Sequence, residues 1–184
     1  LSTPLPPAVE ALSWNLAGGQ VRFRTDSTDL SVRVTLRGLH SMDHITATGQ
    51  CGLDCYIGEP GKTLYCSTTR FDRNCISYSA ALFKNFAREW RTVTLNLPLY
   101  QGMEELEIGL DPAAKIKPPP AFDRPGRVVF YGTSVTQGGC ANRPGMAATN
   151  ILSRQFNVEF INLGFSGSGR GEPDVARIIA SIPD

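Results

Sequence analysis

The sequence predicts a chain in two parts, an all-β, jelly-roll-like sandwich over residues 1–122 and the opening of an α/β sheet over residues 123–184. Three observations carry this reading. Apolar residues alternate with period two through the first 110 positions, a proline-rich stretch then interrupts the pattern, and apolar runs in β-α-β-α order follow it.

The alternation begins at Val21 and Phe23 and is clearest in "LSVRVTL", where Leu30, Val32, Val34 and Leu36 face one way and Ser31, Arg33 and Thr35 the other. It returns at Val93, Leu95 and Leu97 in "RTVTLNL" and at Leu106, Ile108 and Leu110 in "ELEIGL". Short half-buried strands separated by Gly- and Pro-bearing turns, with no helix among them, point to an antiparallel sandwich. In "DPAAKIKPPPAFDRPG" three consecutive prolines favour an extended, stiff connector, which sets the domain boundary.

Beyond it, the run Val128 to Tyr131 is too short for a free-standing helix and suits a strand covered on both faces. Residues 145–156 carry helical spacing (Met146, Ile151, Leu152, Phe156), and "VEFINLG", 158–164, reads as a second buried strand. A last helix runs from Glu172 to about Ser181, with Pro173 in its first turn and Val175, Ile178, Ile179 and Ile182 on one face. The second helix of such a unit ordinarily leads to a third strand. The sheet is therefore expected to continue on another chain, or the sequence to be a fragment.

A hydrophobic content of 41% supports a globular core, and 18 basic residues against 17 acidic ones leave no basic footprint for nucleic acid. The expected partner is neutral or small and polar. No apolar run approaches the roughly 18 residues that cross a bilayer, so no membrane partner is expected. The compartment stays open between cytoplasmic and secreted after signal removal. The five cysteines (Cys51, Cys55, Cys66, Cys75, Cys140) are odd in number and lack CxxC spacing, which reads as free buried thiols without a metal. One or two disulfides are the alternative for a secreted protein.

Chemistry is suggested by "VVFYGTSVTQGG", where Ser134 sits at the lip of a small-residue turn after a strand. The loop "GFSGSGRG", 164–171, follows the second strand at the same sheet edge, where ligands of α/β sheets bind. Two such loops side by side can bring backbone donors to a developing oxyanion, with Gly132 and Gly138 shaping one turn and Gly167 offering its N–H from the other. The plainer alternatives are a helix N-cap and an ordinary turn. Neither stretch matches GxxxxGK[ST] or GxGxxG, which weakens a phosphate-binding reading.

"FYGTSVTQGG" resembles block I of the SGNH (GDSL-type) hydrolases, with Gly-Asp-Ser varied to Gly132-Thr133-Ser134, and "INLGFSGSGRGE" resembles block II. "GLDCY", Gly52 to Tyr56, is similar to the GxDLY signature of the β-rich region that precedes this catalytic domain in a bacterial subgroup. The resemblance implies a flavodoxin-like fold, here incomplete, and a serine esterase that removes acetyl or other short acyl groups, often from sugars, without a cofactor. It implies Ser134 as nucleophile and oxyanion N–H donor, Gly167 as second donor, and an acyl-serine intermediate. The family's block III asparagine and its Asp-x-x-His would lie beyond Asp184, on a missing C-terminal segment or a second chain. A lipase or thioesterase, or a glycan-binding module with an inert hydrolase portion, are the alternatives.

The two histidines, His40 and His44, lie in "LHSMDHITATGQ" on the β-rich part. Neither matches the family's base; His44 is a weak substrate-contact candidate, and Asp43 reads as a surface carboxylate. Asn142 and Arg143 either touch substrate or merely lead into a helix. Asp54 is expected to organise a turn through side-chain-to-backbone bonds. Trp14 and Trp90 read as core residues, with sugar stacking the alternative.

Overall fold

The computed structural model describes residues 4–183, so Leu1–Thr3 and Asp184, the outermost positions of the two expected parts, lie outside it. The architecture is mixed α/β. The β-rich half runs through α1 (Pro7–Ser13), β1 (Gln20–Thr25), β2 (Leu30–Leu36), α2 (Ala47–Gln50), β3 (Asp54–Ile57), β4 (Leu64–Thr68), β5 (Ser77–Phe83), β6 (Arg91–Asn96), β7 (Met103–Leu110) and β8 (Ile116–Lys117). The α/β half holds β9 (Arg127–Gly132), α3 (Ser134–Gln137), a 3-10 turn (Pro144–Met146), α4 (Ala148–Phe156), β10 (Glu159–Gly164) and α5 (Pro173–Ala180).

Two antiparallel sheets, ordered β4-β3-β6-β1-β8 and β5-β2-β7, share one core. Phe23, Cys55, Val93 and Leu95 from the first meet Val32, Val34, Tyr78 and Leu82 from the second. β2 keeps strict alternation, with Leu30, Val32, Val34 and Leu36 buried. β6 does not alternate. Thr92, Thr94 and Asn96 are buried as well as Val93 and Leu95, because the outer face of the larger sheet is covered by the α/β half.

Several expectations need correcting. Two short helices, α1 and α2, stand in the part expected to be free of them. α1 has Pro7 at its start, as proline favours, and its Val9 packs with Phe165 and Val175 of the other half. Trp14 is 59% exposed under the Arg37 guanidinium, 4.0 Å from the ring centroid, and Trp90 is half-buried beside Lys117. All five cysteines are free, but Cys75 and Cys140 are exposed rather than buried. Val128, at the start of β9, is 38% exposed, since no described element covers it. In α4 the buried residues are Thr149, Asn150 and Ser153, while Phe156 is exposed and Met146 belongs to the preceding turn.

The polar inward face of α4 has a reason in what it meets. Asp54 and Tyr56 of β3 pair with Asn96 and Thr94 of β6, and together they present polar groups outward from the larger sheet. Asp54 is fully buried: Asn96 Nδ2 donates to one carboxylate oxygen at 2.8 Å, and the Gly145 N–H donates to the other at 2.8 Å. Arg143 Nε stands 3.4 Å from the same carboxylate, and Arg154 stacks on Tyr56 while donating to the Gly145 carbonyl at 2.7 Å. Asp54 thus joins segments 91 residues apart instead of organising a local turn. Burial raises its pKa, and the donors and guanidiniums around it oppose the rise without cancelling it.

Removing that carboxylate leaves a buried amide and a buried N–H without their acceptor, and a guanidinium without its counter-charge. Asp54→Ala is expected to lower stability by about 3 kcal/mol, measured by urea unfolding. A loss below about 1 kcal/mol would show that the carboxylate does not join the halves.

Candidate active site

β9 and β10 pair in parallel with Arg127 opposite Glu159 and Gly132 opposite Gly164, so both strands end at one level. The loops that leave them therefore start side by side. The Phe165 N–H closes on the Gly132 carbonyl at 2.9 Å, and the 165–169 turn folds back through Ser168 and Gly169 N–H groups on the Phe165 carbonyl. A side chain at Gly169 would strike the Gly132 carbonyl, and one at Gly164 would strike the Gln137 backbone nitrogen. Glycine at both positions is what lets the two loops touch.

Ser134 is the first residue of α3, half-buried, directly after the strand exit. Gly138 ends α3 in the left-handed conformation, with φ +105°, and its N–H returns to the Ser134 carbonyl at 3.1 Å. The sequence assigned Gly132 and Gly138 to this turn: Gly138 closes it, whereas Gly132 is the last residue of β9, where a side chain would strike Thr136. Gly167 is exposed, with φ +71°, at the tip of the neighbouring turn. Among the described residues, the backbone N–H groups of Ser134 and Gly167 donate to no protein acceptor. A hydroxyl and two unpaired amide donors on touching loops can receive an oxygen that gains negative charge.

Other side chains, which local sequence signals do not mark, hold this arrangement. Asn162 Nδ2 donates to the Thr136 carbonyl at 2.7 Å and to Thr149 Oγ1 at 3.0 Å, tying α3 and α4 to β10. Tyr131 donates to Glu172 and accepts from the Gly171 N–H at 2.7 Å, while the Arg170 N–H also donates to Glu172. That cluster closes the far end of the Gly167 loop. The hydrogen bond from Tyr131 holds the Glu172 carboxyl below its ordinary range.

The β-rich half reaches the same region. Thr46 and Thr48 hydroxyls donate to the Asn142 carbonyl at 3.0 and 2.7 Å, and Tyr100 donates to the Ser134 carbonyl at 3.2 Å. Arg143 lies against Asp54 and over Tyr65, 4.3 Å from the ring centroid. Asn142 and Arg143 line a polar groove of about 430 Å³ with Thr48, Tyr65 and Arg70. His40 Nε2 bonds to the Ile45 carbonyl at 2.9 Å, whereas His44 and Asp43 are exposed. Among the described residues neither histidine hydrogen-bonds to Ser134, and no group of three or more His, Cys, Asp or Glu side chains is arranged to hold a metal.

A family model described as "N-terminus of Esterase_SGNH_hydro-type", GxDLY, matches residues 1–116. A second, described as "GDSL-like Lipase/Acylhydrolase family", matches residues 126–183. Among solved structures, a protein from Bacteroides ovatus described as a GDSL-like lipase is 34% identical, with a TM-score of 0.90 over 97% of this chain and 52% of that one. The salicylyl-acyltransferase SsfX3 from a tetracycline biosynthetic pathway is 19% identical, with a TM-score of 0.72 over 97% of this chain and 48% of that one. A family two carbohydrate esterase from Clostridium thermocellum, solved with cellohexaose, is 14% identical, with a TM-score of 0.56 over 86% of this chain and 50% of that one. The chain thus spans about half the length of each of these structures. No curated protein sequence matches it.

The lowered Glu172 pKa fixes the sign of an acid effect. A carboxyl depressed in the folded state stabilises the loop above its unfolded pKa, near 4.3, and the contribution is lost as pH falls through the lower folded value. Amide exchange at Arg170 and Gly171, corrected for intrinsic rates, is expected to accelerate below about pH 4 in the wild type. The same acceleration in Glu172→Gln would contradict the assignment.

Proposed function

The chain belongs to the SGNH (GDSL-type) hydrolases, in the group with a GxDLY-type N-terminal region, and from that premise we propose that it forms the nucleophile-bearing part of a serine esterase. The observation that carries the proposal is that the loops bearing Ser134 and Gly167 touch at Gly132, with the backbone N–H groups of both residues without a protein acceptor among the described residues. In the proposed reaction Ser134 Oγ adds to the ester carbonyl, and the carbonyl oxygen takes the electron pair and is stabilised by the two N–H groups. The alcohol leaves with a proton, and water releases the acyl group from the serine.

A serine hydroxyl needs a base to react at neutral pH. We place that base outside residues 4–183, on a further segment or a second polypeptide. The two-part organisation, divided after residue 122, and the flavodoxin-like character of the second part belong to the same proposal. The substrate we assign is a short acyl ester on a carbohydrate. Support comes from the polar groove lined by Asn142 and Arg143 and from the likeness to a carbohydrate esterase. Asn142 and Arg143 are the candidates for contacts to the alcohol side; His44 remains the weaker one.

A fluorophosphonate, which captures only activated serines, tests this on the full chain with any partner polypeptide retained. The expected result is one adduct on Ser134, with hydrolysis of acetylated sugars abolished in Ser134→Ala. An unlabelled wild type that still binds glycan would overturn the esterase in favour of a binding module. Turnover confined to long acyl chains or thioesters would overturn the substrate class.

A further inference from the structure

Gln137 is the last residue of α3, three positions after Ser134, and it is completely buried. Its amide has two partners in different parts of the molecule. Nε2 donates to the Leu99 carbonyl of the β-rich half at 3.0 Å, and Oε1 accepts from the Ser166 N–H at 2.9 Å. Ser166 directly precedes Gly167. One side chain on the nucleophile helix therefore grips the opposite loop one peptide unit before its proposed oxyanion donor.

The anchor behind it is itself fixed. The Leu99 and Tyr100 N–H groups donate to the Gly49 and Gln50 carbonyls of α2 at 3.2 Å each, and the Leu99 side chain is fully buried. Tyr100, next in sequence, donates to the Ser134 carbonyl at 3.2 Å. The residue that carries one donor and the residue before the other are thus referred to the same two-residue turn of the β-rich half.

We propose that Gln137, resting on the esterase reading above, is a positioning residue: it sets the Gly167 N–H relative to Ser134 and makes the Leu99–Tyr100 turn part of the active-site scaffold. The amide is suited to the task because it donates at one end and accepts at the other. Displacing a transition-state donor by a fraction of an ångström weakens it without changing how the ground-state ester is bound.

The test is Gln137→Met, similar in length and without a hydrogen bond to either partner, in the full chain with any partner polypeptide retained. The expected result is a fall in kcat of about 10- to 100-fold with KM within about twofold of wild type, normalised to folded protein. A residue that only fills the core would lower stability and leave kcat of the folded fraction unchanged, which would overturn the proposal. Amide exchange at Ser166 in the wild type serves as a second measurement, independent of the variant's folding and of turnover. Strong protection of Ser166 supports the hold, and exchange at the free rate overturns it. A wild type without an adduct on Ser134 would refute the esterase reading, while Ser166 exchange would still decide whether Gln137 holds the loop.

Discussion

The site depends on the parallel register of two strands. With Gly132 opposite Gly164, β9 and β10 end together, and the chain leaves both at the same height on the same side. A shift of one residue would turn Asn162 away from α3 and α4, and it would move the 164–171 loop off the Gly132 carbonyl. Strand order alone would not give this proximity. It also takes glycine at 164 and 169, because any Cβ there would collide with backbone of the nucleophile turn.

The second dependence is on the β-rich half, which meets the α/β half through directional polar contacts as well as apolar packing. Asp54 accepts from Gly145 and Asn96, the Thr46 and Thr48 hydroxyls donate to the Asn142 carbonyl, and Gln137 accepts from Ser166 while donating to Leu99. Among the described residues, apolar packing joins the halves where Val9 of α1 meets Phe165 and Val175, and where Ile45, Leu99 and Tyr100 meet Ala147. Each buried hydrogen bond adds only about 1 kcal/mol net, but a mismatched one costs more because it strands its partner. Such a boundary fixes orientation more strictly than an apolar one of equal area. It explains why "GLDCY", far from Ser134 in sequence, bears on the same loop system.

Period-two alternation made β1, β2 and β7 legible, and the serine turn and the glycine loop were legible as neighbours at one sheet edge. Helix α2, of four residues, is shorter than any window that resolves helical period, and α1 shows only Pro7 and the pair Val9 and Leu12. The register of α4 was misread because its inward side faces polar groups, so Thr149, Asn150 and Ser153 are buried where apolar residues were expected. Asp54 and Gln137 were not legible in their actual roles. Their partners lie 29 to 91 residues away, and nothing local to "GLDCY" or "SVTQ" announces them.

The central claim, that Ser134 and Gly167 serve one oxyanion, is tested most directly by a crystal structure of the protein with a phosphonate bonded to Ser134 Oγ. The account predicts the phosphoryl oxygen about 3 Å from both the Ser134 and the Gly167 backbone nitrogens. A phosphoryl oxygen turned to solvent, with the Gly167 N–H still without an acceptor, would contradict it.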